Sequence, residues 1–353
     1  MNRPRYRAAA GAAVLTMTVA ATLVGCSTSA SPAEETSAAK DKSTGALVIY
    51  TPNAQNMINA IIPVFEKESG IKVQLVTAGT GELYQRIQSE AGNPGGDVLF
   101  GGSEAQAVQS KQLWDKYVST NNKDMIAAGQ NVDGVITPYV ADGSNLLVNT
   151  EKIGDIKITG YQSLLNPKLK GRIAFGDPSQ SSSAFAQLTN MLKATGGNYT
   201  STKGWDYVKS LINNLGGKVI PSSAEVVKDV ADGEYPVGLT YEDPSATYVS
   251  AGSPVKIVYP KEGAVYLPSG TEIIKGAKNM KSAKEFIDFI TSKKAQDIFG
   301  SELTNRPLRK DAKLGSYMTP LSDIHVIQED TNYVAAHKAD IVTKYQQLFA
   351  QAQ

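Results

Sequence analysis

The feature that most constrains the fold is a regular alternation of short apolar runs and amphipathic helical segments. Beginning at Ala46, three apolar runs (ALVIY, IKVQLV and VLFGG) alternate with two segments whose apolar residues recur at helical spacing. This order is typical of parallel strands with helices on the faces of the sheet. A second set of the same kind occupies residues 138 to about 260. The pattern therefore predicts an α/β fold of two lobes with a ligand cleft between them.

The first 25 residues have the composition of an export signal. Arg3, Arg5 and Arg7 precede an apolar, alanine-rich run that ends in LVGC, whose last residue is Cys26. Cys26 is the only cysteine, and exported chains usually pair their cysteines. We expect residues 1–25 to be a lipoprotein signal peptide and Cys26 to carry the lipid. The alternative is an uncleaved anchor with a buried free thiol.

The rest of the chain divides into a tether and two lobes. Residues 26–45 are rich in Ser, Thr, Ala and charge and contain no large apolar residue, so they are expected to be flexible. The alternation then predicts lobe 1 over residues 46–137 and lobe 2 over residues 138–257. Residues 258–353 are expected to return to lobe 1 and to end in C-terminal helices.

Charge and histidine content argue against several classes of function. Without the three signal arginines, the 35 basic residues fall to 32 against 34 acidic residues, so the mature chain has no electrostatic reason to bind nucleic acid. Its two histidines, His325 and His337, lie twelve residues apart, which is not the spacing of a zinc motif. A Ser-His-Asp triad is not indicated either, and we expect no cofactor.

Four loops place hydroxyl, amide or glycine residues where a strand gives way to a helix. Helix N-termini carry unsatisfied N–H groups and partial positive charge, so such loops can bind an anion without lysine. Glycines there indicate either a sharp turn with positive φ or amides that a ligand approaches closely. The alternative for each loop is ordinary helix capping. Because all four loops should meet at the cleft, we predict a ligand site there, with Asn53 and Ser103 among its candidate residues. The anionic group is expected to be held by Gly79, Thr80, Gly81, Ser181, Ser182 and Ser183.

An aromatic hydroxyl and three carboxylates are predicted to lie across the cleft from these loops. The strand VGLTY ends in Tyr241 and is followed by Glu242 and Asp243, while Glu262 lies near the return to lobe 1. Carboxylates accept hydrogen bonds from ligand hydroxyls and pair with ammonium groups. We expect these four residues, with Asn53, to hold the end of the solute remote from its anionic group. The alternative for the Asp-Pro pair at Asp243 is a turn.

At this point the chain resembles a known family, the solute-binding proteins of ABC importers. The resemblance lies in the lipobox and in the stretches LVIYTPN, FEKESGIKVQLVTAGTGELYQRIQSEAGNPGGDVLFGG, NPKLKGRIAFGDP, VADGEYPVGLTYED and VKIVYPKEG. More narrowly, it is to the branch of ferric-ion, hexose-phosphate and 2-aminoethylphosphonate binders. It implies a type II periplasmic-binding-protein-like fold that closes about a hinge, and delivery of the captured solute to a permease and its ATPase. We expect that solute to be small and anionic. We expect a monomer outside the cytoplasm, anchored to the cell membrane through Cys26.

The resemblance leaves the ligand open between iron and a phosphorylated solute. Ferric binders usually place two adjacent tyrosines where this chain has Glu242 and Asp243, preceded by Tyr241 alone. TAGTGEL and GDPSQSSSAF are similar to the phosphate-binding loops of sugar-phosphate and phosphonate binders, although Ser182 stands where a glycine is frequent. We therefore favour a phosphorylated or phosphonate solute. In the iron alternative, Tyr241, Glu242 and Asp243 would bind the metal.

Two other classes of function remain as alternatives. An extracytoplasmic hydrolase could divide acid and base roles between Glu242 and Asp243. Adjacent residues at a strand end tend to point to opposite faces, and the chain contains no Gly-x-Ser-x-Gly motif, so we expect no catalysis. A surface adhesin or signalling receptor could use the same cleft, since fold alone does not fix function.

Overall fold

A computed structural model describes residues 45–352 of the chain. The signal, Cys26 and the tether up to residue 44 lie outside the described residues, so the predictions made for them stay predictions. Within the described part, every helix is too short or too polar to cross a bilayer. The strands are β1 (Leu47–Thr51), β2 (Val73–Thr77), β3 (Val98–Ser103), β4 (Trp114–Asp115), β5 (Thr137–Asn149), β6 (Ile173–Ala174), β7 (Val237–Tyr241), β8 (Val255–Val258), β9 (Ala264–Ile274), β10 (Arg306–Pro307) and β11 (Val326–Ile327). The α-helices are α1 (Gln55–Ser69), α2 (Thr80–Ser89), α3 (Glu104–Gln109), α4 (Ser182–Gly196), α5 (Thr202–Leu215), α6 (Ser223–Ala231), α7 (Glu242–Ser250), α8 (Met280–Ile290), α9 (Lys293–Ser301), α10 (Thr331–Ala336) and α11 (Lys338–Gln351).

The sheet confirms the α/β fold, but it is mixed rather than all parallel. β1 pairs in parallel with β2 and β3, as the alternating pattern predicts, and β6 pairs in parallel with β7. β9 lies antiparallel to β3, and β5 lies antiparallel to both β9 and β7. The strands follow the order β2-β1-β3-β9-β5-β7-β6. The expectation of a parallel sheet is therefore wrong for the two long strands at its centre.

Those two long strands, β5 and β9, connect the halves of the sheet. Residues 137–143 of β5 pair with β9, whereas residues 144–149 pair with β7 and β8. Residues 269–274 of β9 in turn pair with β3 and β4. We refer to the half built on β1, β2 and β3 as the first lobe and to the half built on β6, β7 and β8 as the second lobe. The exact residue limits predicted for the lobes stay a prediction.

The first lobe has its own apolar core. Ile58 and Phe65 of α1 are buried in it together with Phe286 of α8, and the rings of Phe65 and Phe286 meet edge to face with centroids 5.1 Å apart. Apolar residues at helical spacing in α1 direct one face of that helix to the core. The helix ends at Gly70, where a φ of 72° suits glycine and the N–H donates to the carbonyl of Glu66.

The second lobe has a separate core that also includes the end of the chain. Leu188 of α4 and Leu211 of α5 are buried in it. Ile341 and Tyr345 of α11 belong to the same cluster. The C-terminal helices therefore pack on the second lobe, although the chain has returned to the first lobe before it reaches them.

Glu272 in β9 is a buried carboxyl group without a compensating cation. Its side chain is 1% exposed, and its Oε1 has no hydrogen-bond partner. Burial, followed by repulsion from Glu104 and Asp133, raises the pKa of Glu272 well above its usual value, and the phenol of Tyr84 also faces it. In the folded protein the carboxyl group of Glu272 therefore stays protonated at a pH where the same group in the unfolded chain has lost its proton. Its contribution to stability is greatest at acidic pH and falls as the pH rises above the usual carboxyl range.

We expect Glu272→Gln to raise the thermal unfolding midpoint at neutral pH, because glutamine is neutral and nearly isosteric with the protonated acid. The gain over the wild type should shrink towards about pH 4, where the unfolded chain is protonated as well. Differential scanning fluorimetry across pH measures this, with Glu234→Gln at an exposed turn as the control. Parallel pH profiles for wild type and Glu272→Gln would contradict the prediction.

Candidate functional site

The loop between β1 and α1 is tied to the end of β3 by its side chains. The carbonyl oxygen of Phe100 accepts hydrogen bonds from Thr51 Oγ1 at 2.7 Å and from Asn53 Nδ2 at 3.0 Å. The hydroxyl of Tyr139 donates to Asn53 Oδ1 at 3.2 Å. Both ends of the Asn53 amide are thus engaged within the protein, which favours a bracing role for Asn53 over the ligand contact predicted from the sequence.

Among the glycines of these first-lobe loops, Gly101 and Gly102 adopt positive φ angles, whereas Gly79 and Gly81 do not. The φ angles of Gly101 and Gly102 are 111° and 114°, in the region that L side chains rarely adopt. A Cβ on Gly101 would lie 2.6 Å from Asn53 Oδ1. A Cβ on Gly102 would lie 3.4 Å from Cγ2 of Thr80. The three first-lobe loops therefore adjoin one another, as predicted.

Gly79 and Gly81 stand at the start of α2 with ordinary backbone angles. Gly79 has a φ of −63° and is the residue before the helix, while Gly81 lies in its first turn. Neither is among the glycines of positive φ, so the sharp-turn interpretation of this loop is wrong. A Cβ on either would meet open space. What the glycines provide is unobstructed access to the amides of the first turn.

Two long helices of the first lobe begin without a side-chain cap. Ala54 precedes α1 and Gly79 precedes α2, and neither position supplies a capping hydrogen bond. Within the described part of the chain, the Thr80 hydroxyl also has no hydrogen-bond partner. Ser103 precedes α3, is exposed and makes no capping bond either. Unsatisfied donors therefore accumulate on this side of the first lobe.

The serine-rich loop before α4 divides its three candidate serines among different environments. Ser181 Oγ accepts from the backbone N–H of Ala184 at 3.3 Å, so it caps α4 as the capping alternative holds. Ser182 is exposed and borders an outer groove next to Lys338. Ser183 lines a cavity on the other side of the helix start. The structure therefore does not bring the three serines to one point.

That cavity, which we call the second-lobe cavity, lies at the helix starts that follow β6 and β7. Its volume is about 190 Å³. Its walls come from β5, β7 and the first turns of α4, α6 and α7. The polar residues that line it are Asp142, Ser183, Gln187, Ser223, Thr240 and Tyr241.

Glu242 is committed to a buried ion pair rather than to the cavity. Its side chain and that of Arg306 are both 1% exposed. Arg306 Nε donates to Glu242 Oε2 at 2.6 Å, and Arg306 Nη2 and the hydroxyl of Tyr259 both donate to Glu242 Oε1. Both carboxylate oxygens are engaged, so these contacts favour a structural role for Glu242. The predicted ligand contact does not fit this geometry.

The other two predicted carboxylates also have partners within the protein. Glu262 accepts from the backbone N–H groups of Tyr161 at 3.0 Å and Gln162 at 3.1 Å, so it closes the start of a short 3₁₀ helix. Asp243 accepts from Thr304 Oγ1. Burial raises the pKa of Asp243 above its usual value, against the lowering effect of the Thr304 hydrogen bond.

Tyr241, like Ser183, is a predicted candidate that lines the cavity. Its hydroxyl is buried without a hydrogen-bond partner. Burial, followed by the nearby charge of Asp142, raises the pKa of Tyr241 well above its usual value. Within the described residues, no three His, Cys, Asp or Glu side chains are grouped as a metal ion requires.

Sequence reasoning missed the residues that give the cavity its chemistry. Asp142 lies in the middle of β5, and Gln187 is a buried residue of α4. Neither lies in a loop at a helix start, the feature from which the sequence predicts ligand-binding residues. The break in apolar character at ADGSN was the available hint for Asp142. Nothing in the local sequence marks Gln187.

Comparison with known proteins gives a consistent family. Residues 60–325 match the family described as bacterial extracellular solute-binding protein. A putative 2-aminoethylphosphonate-binding periplasmic protein of Salmonella typhimurium strain LT2 is 24% identical over 253 residues, covering 70% of this chain and 72% of that protein. Iron uptake protein A1 of Synechocystis sp. strain PCC 6803 is 25% identical over 269 residues, covering 70% and 71%.

A solved structure agrees with the fold. The periplasmic binding protein AfuA from Actinobacillus pleuropneumoniae, with exogenous fructose-6-phosphate bound, superposes with a TM-score of 0.68 at 26% identity. The match covers 87% of this chain and 99% of AfuA. The relatives thus include proteins named for phosphonate, sugar phosphate and iron, which leaves the choice of ligand to the site itself.

We expect Glu242→Gln to lower the free energy of unfolding by about 3 kcal/mol, because it leaves the Arg306 guanidinium buried without its counter-charge. Urea denaturation followed by tryptophan fluorescence measures this loss. The matched control is Asp232→Asn, which removes the charge from the exposed pair between Lys228 and Asp232 and should leave the midpoint unchanged. Equal stability of the two variants would show that leaving Arg306 buried without its counter-charge does not destabilise the fold.

Proposed function

We propose that this chain, which belongs to the bacterial extracellular solute-binding protein family, captures a small phosphorylated or phosphonate solute. As a solute-binding protein of an ABC importer, it acts outside the cytoplasm, passes its solute to a permease, and belongs with transport proteins rather than enzymes. The choice of solute within that role is our proposal.

The observation that carries the proposal is the pair of long helices, α1 and α2, that begin on one side of the first lobe without side-chain caps. Their first-turn N–H groups are neutral donors with a favourable dipole for an anion. The hydroxyl of Thr80 adds an unpaired donor, and Gly81 leaves the approach open. A phosphoryl or phosphonate group has the charge and the acceptor oxygens that such a set of donors suits.

Capture is coupled to lobe closure by differential affinity. A solute that contacts both lobes binds the closed conformation more tightly, and this difference shifts the population towards closure. The lobes would move relative to each other by bending of β5 and β9, the strands that connect them. The permease would then recognise the closed form.

Iron is the weaker alternative for this chain. Glu242, one of the three residues that would bind the metal, is already paired with Arg306. The hydrolase alternative weakens for the same reason, because Glu242 is not free to act as an acid or base. An adhesin or receptor role for the same cleft would predict the same ligand binding without a permease.

A panel of solutes tests the proposal directly. A ligand that binds only the folded state must raise the unfolding midpoint. We expect a rise with 2-aminoethylphosphonate or with a sugar phosphate such as fructose 6-phosphate, and none with ferric citrate. Absence of any shift with phosphonates and sugar phosphates would overturn the proposed ligand class, and a shift with iron alone would support the alternative.

Two variants then test whether the start of α2 is the anion site. Thr80→Val removes the hydroxyl at constant shape and should weaken the best solute about tenfold, as expected for a hydrogen bond to a charged group. Gly81→Ala should leave stability unchanged or raised, since alanine suits a helix better, while its methyl group obstructs the solute. Titration calorimetry measures both affinities. Thr202→Val, at the first position of the equally uncapped α5, is the matched control and should bind as wild type does.

We also propose that a lipid on Cys26 holds the mature protein, as a monomer, to the cell membrane. The support is the lipobox and the lone cysteine. In cells fed a radiolabelled fatty acid, the wild type should be labelled and recovered with membranes, whereas Cys26→Ser should be unlabelled. Recovery of unlabelled wild-type protein in the soluble fraction would contradict the anchor.

A further inference from the structure

The second-lobe cavity is rich in hydrogen-bond acceptors and lacks positive side chains. The described residues that line it include no Lys, Arg or His. Its volume of about 190 Å³ exceeds several-fold the roughly 30 Å³ share of one liquid water. It therefore has room for a small organic group, and its polar lining indicates which kind.

Gln187 presents an unpaired acceptor to this cavity. Its side chain is 1% exposed, and its Nε2 donates to the backbone carbonyl of Thr240. Only the amide nitrogen can donate to a carbonyl, so this contact fixes the orientation of the amide. The remaining atom, Gln187 Oε1, is buried without a partner. A buried acceptor left unpaired costs about 1–3 kcal/mol, which a donor on a ligand would recover.

Asp142 supplies the second acceptor. Its Oδ1 accepts from the backbone N–H of Asp243 at 3.0 Å, and the N–H of Glu242 also donates to its carboxyl group. A carboxyl group keeps further acceptor lone pairs even when it is protonated, so Asp142 can still accept a hydrogen bond on the cavity side. Burial, followed by repulsion from Asp243, raises the pKa of Asp142 well above its usual value. Glu242 is already neutralised by Arg306.

We propose that Asp142 and Gln187 select the solute by accepting hydrogen bonds from a hydroxyl or ammonium group at the end remote from its anionic group. This inference deepens the proposed function and rests on it. The solute then lies with its phosphoryl or phosphonate group at the starts of α1 and α2 and its donor end in the second-lobe cavity.

The structural alternative is that Asp142 merely caps α7, since it accepts from the first residues of that helix. Asp142→Asn separates the two roles. Asparagine keeps an acceptor for the Asp243 amide, but an NH2 donor replaces its second carboxyl oxygen, so it loses much of the capacity to accept from a ligand. A residue that only caps α7 would change the affinity for every solute equally.

Three phosphonates with the same anionic group provide the test. 2-Aminoethylphosphonate carries an ammonium group, 2-hydroxyethylphosphonate a hydroxyl group, and ethylphosphonate no donor. Titration calorimetry with the wild-type protein should give ethylphosphonate the lowest affinity, by about tenfold or more. The tighter of the other two identifies the donor that the cavity prefers. For a sugar phosphate the equivalent comparison is fructose 6-phosphate with inorganic phosphate.

The variants complete the test. In Asp142→Asn, the affinity ratio between the donor-bearing and donor-free solutes should collapse towards one. Gln187→Met, which keeps the side-chain volume and removes the acceptor, should reduce the same ratio if Asp142→Asn does not fold. Equal wild-type affinities for all three phosphonates, or ratios unchanged in both variants, would overturn the inference and leave the proposed function standing. Failure of every phosphonate and sugar phosphate to bind would overturn the proposed function itself, and this inference with it.

Discussion

Backbone pairing along β5 and β9 is the constraint on which the rest of the structure depends. A buried strand must pair its N–H and C=O groups on both edges. β5 does so with β9 over its first half and with β7 and β8 over its second. These two strands therefore run through both lobes, and residues on them are close to any solute that both lobes contact.

The position of Asp142 follows from that arrangement. It lies on β5 at the last residues paired with β9, where the strand passes into the second lobe. Its carboxyl group meets the start of α7, whose first residue is held in turn by Arg306 of β10. Arg306 belongs to a short strand that pairs with β5. A buried ion pair of this kind contributes little net stability but strongly disfavours any arrangement that separates its charges, so it fixes where α7 begins.

The two halves of the proposed site differ in their chemistry. The first lobe offers hydrogen-bond donors, because α1 and α2 start without side-chain caps. Gly79 and Gly81 also leave the backbone amides at the start of α2 uncovered. The second lobe offers acceptors, through Gln187 and Asp142. A solute with an anion at one end and a donor at the other matches both halves in a single orientation. This polarity, rather than any single residue, is the physical argument for a phosphorylated or phosphonate solute with a polar tail.

The sequence by itself determined the α/β class, the two-lobed family fold and the helix starts of the first lobe, because periodicity and glycine placement are local signals. It also named Ser183 and Tyr241, which line the second-lobe cavity. It could not show that Glu242, Glu262 and Asn53 have partners on distant segments that only the fold brings near: Arg306 for Glu242, and the backbone of residues 161 and 162 for Glu262. It could not find Asp142 or Gln187. An acceptor becomes a binding group only when tertiary packing buries it and leaves it unpaired, and no local pattern records that.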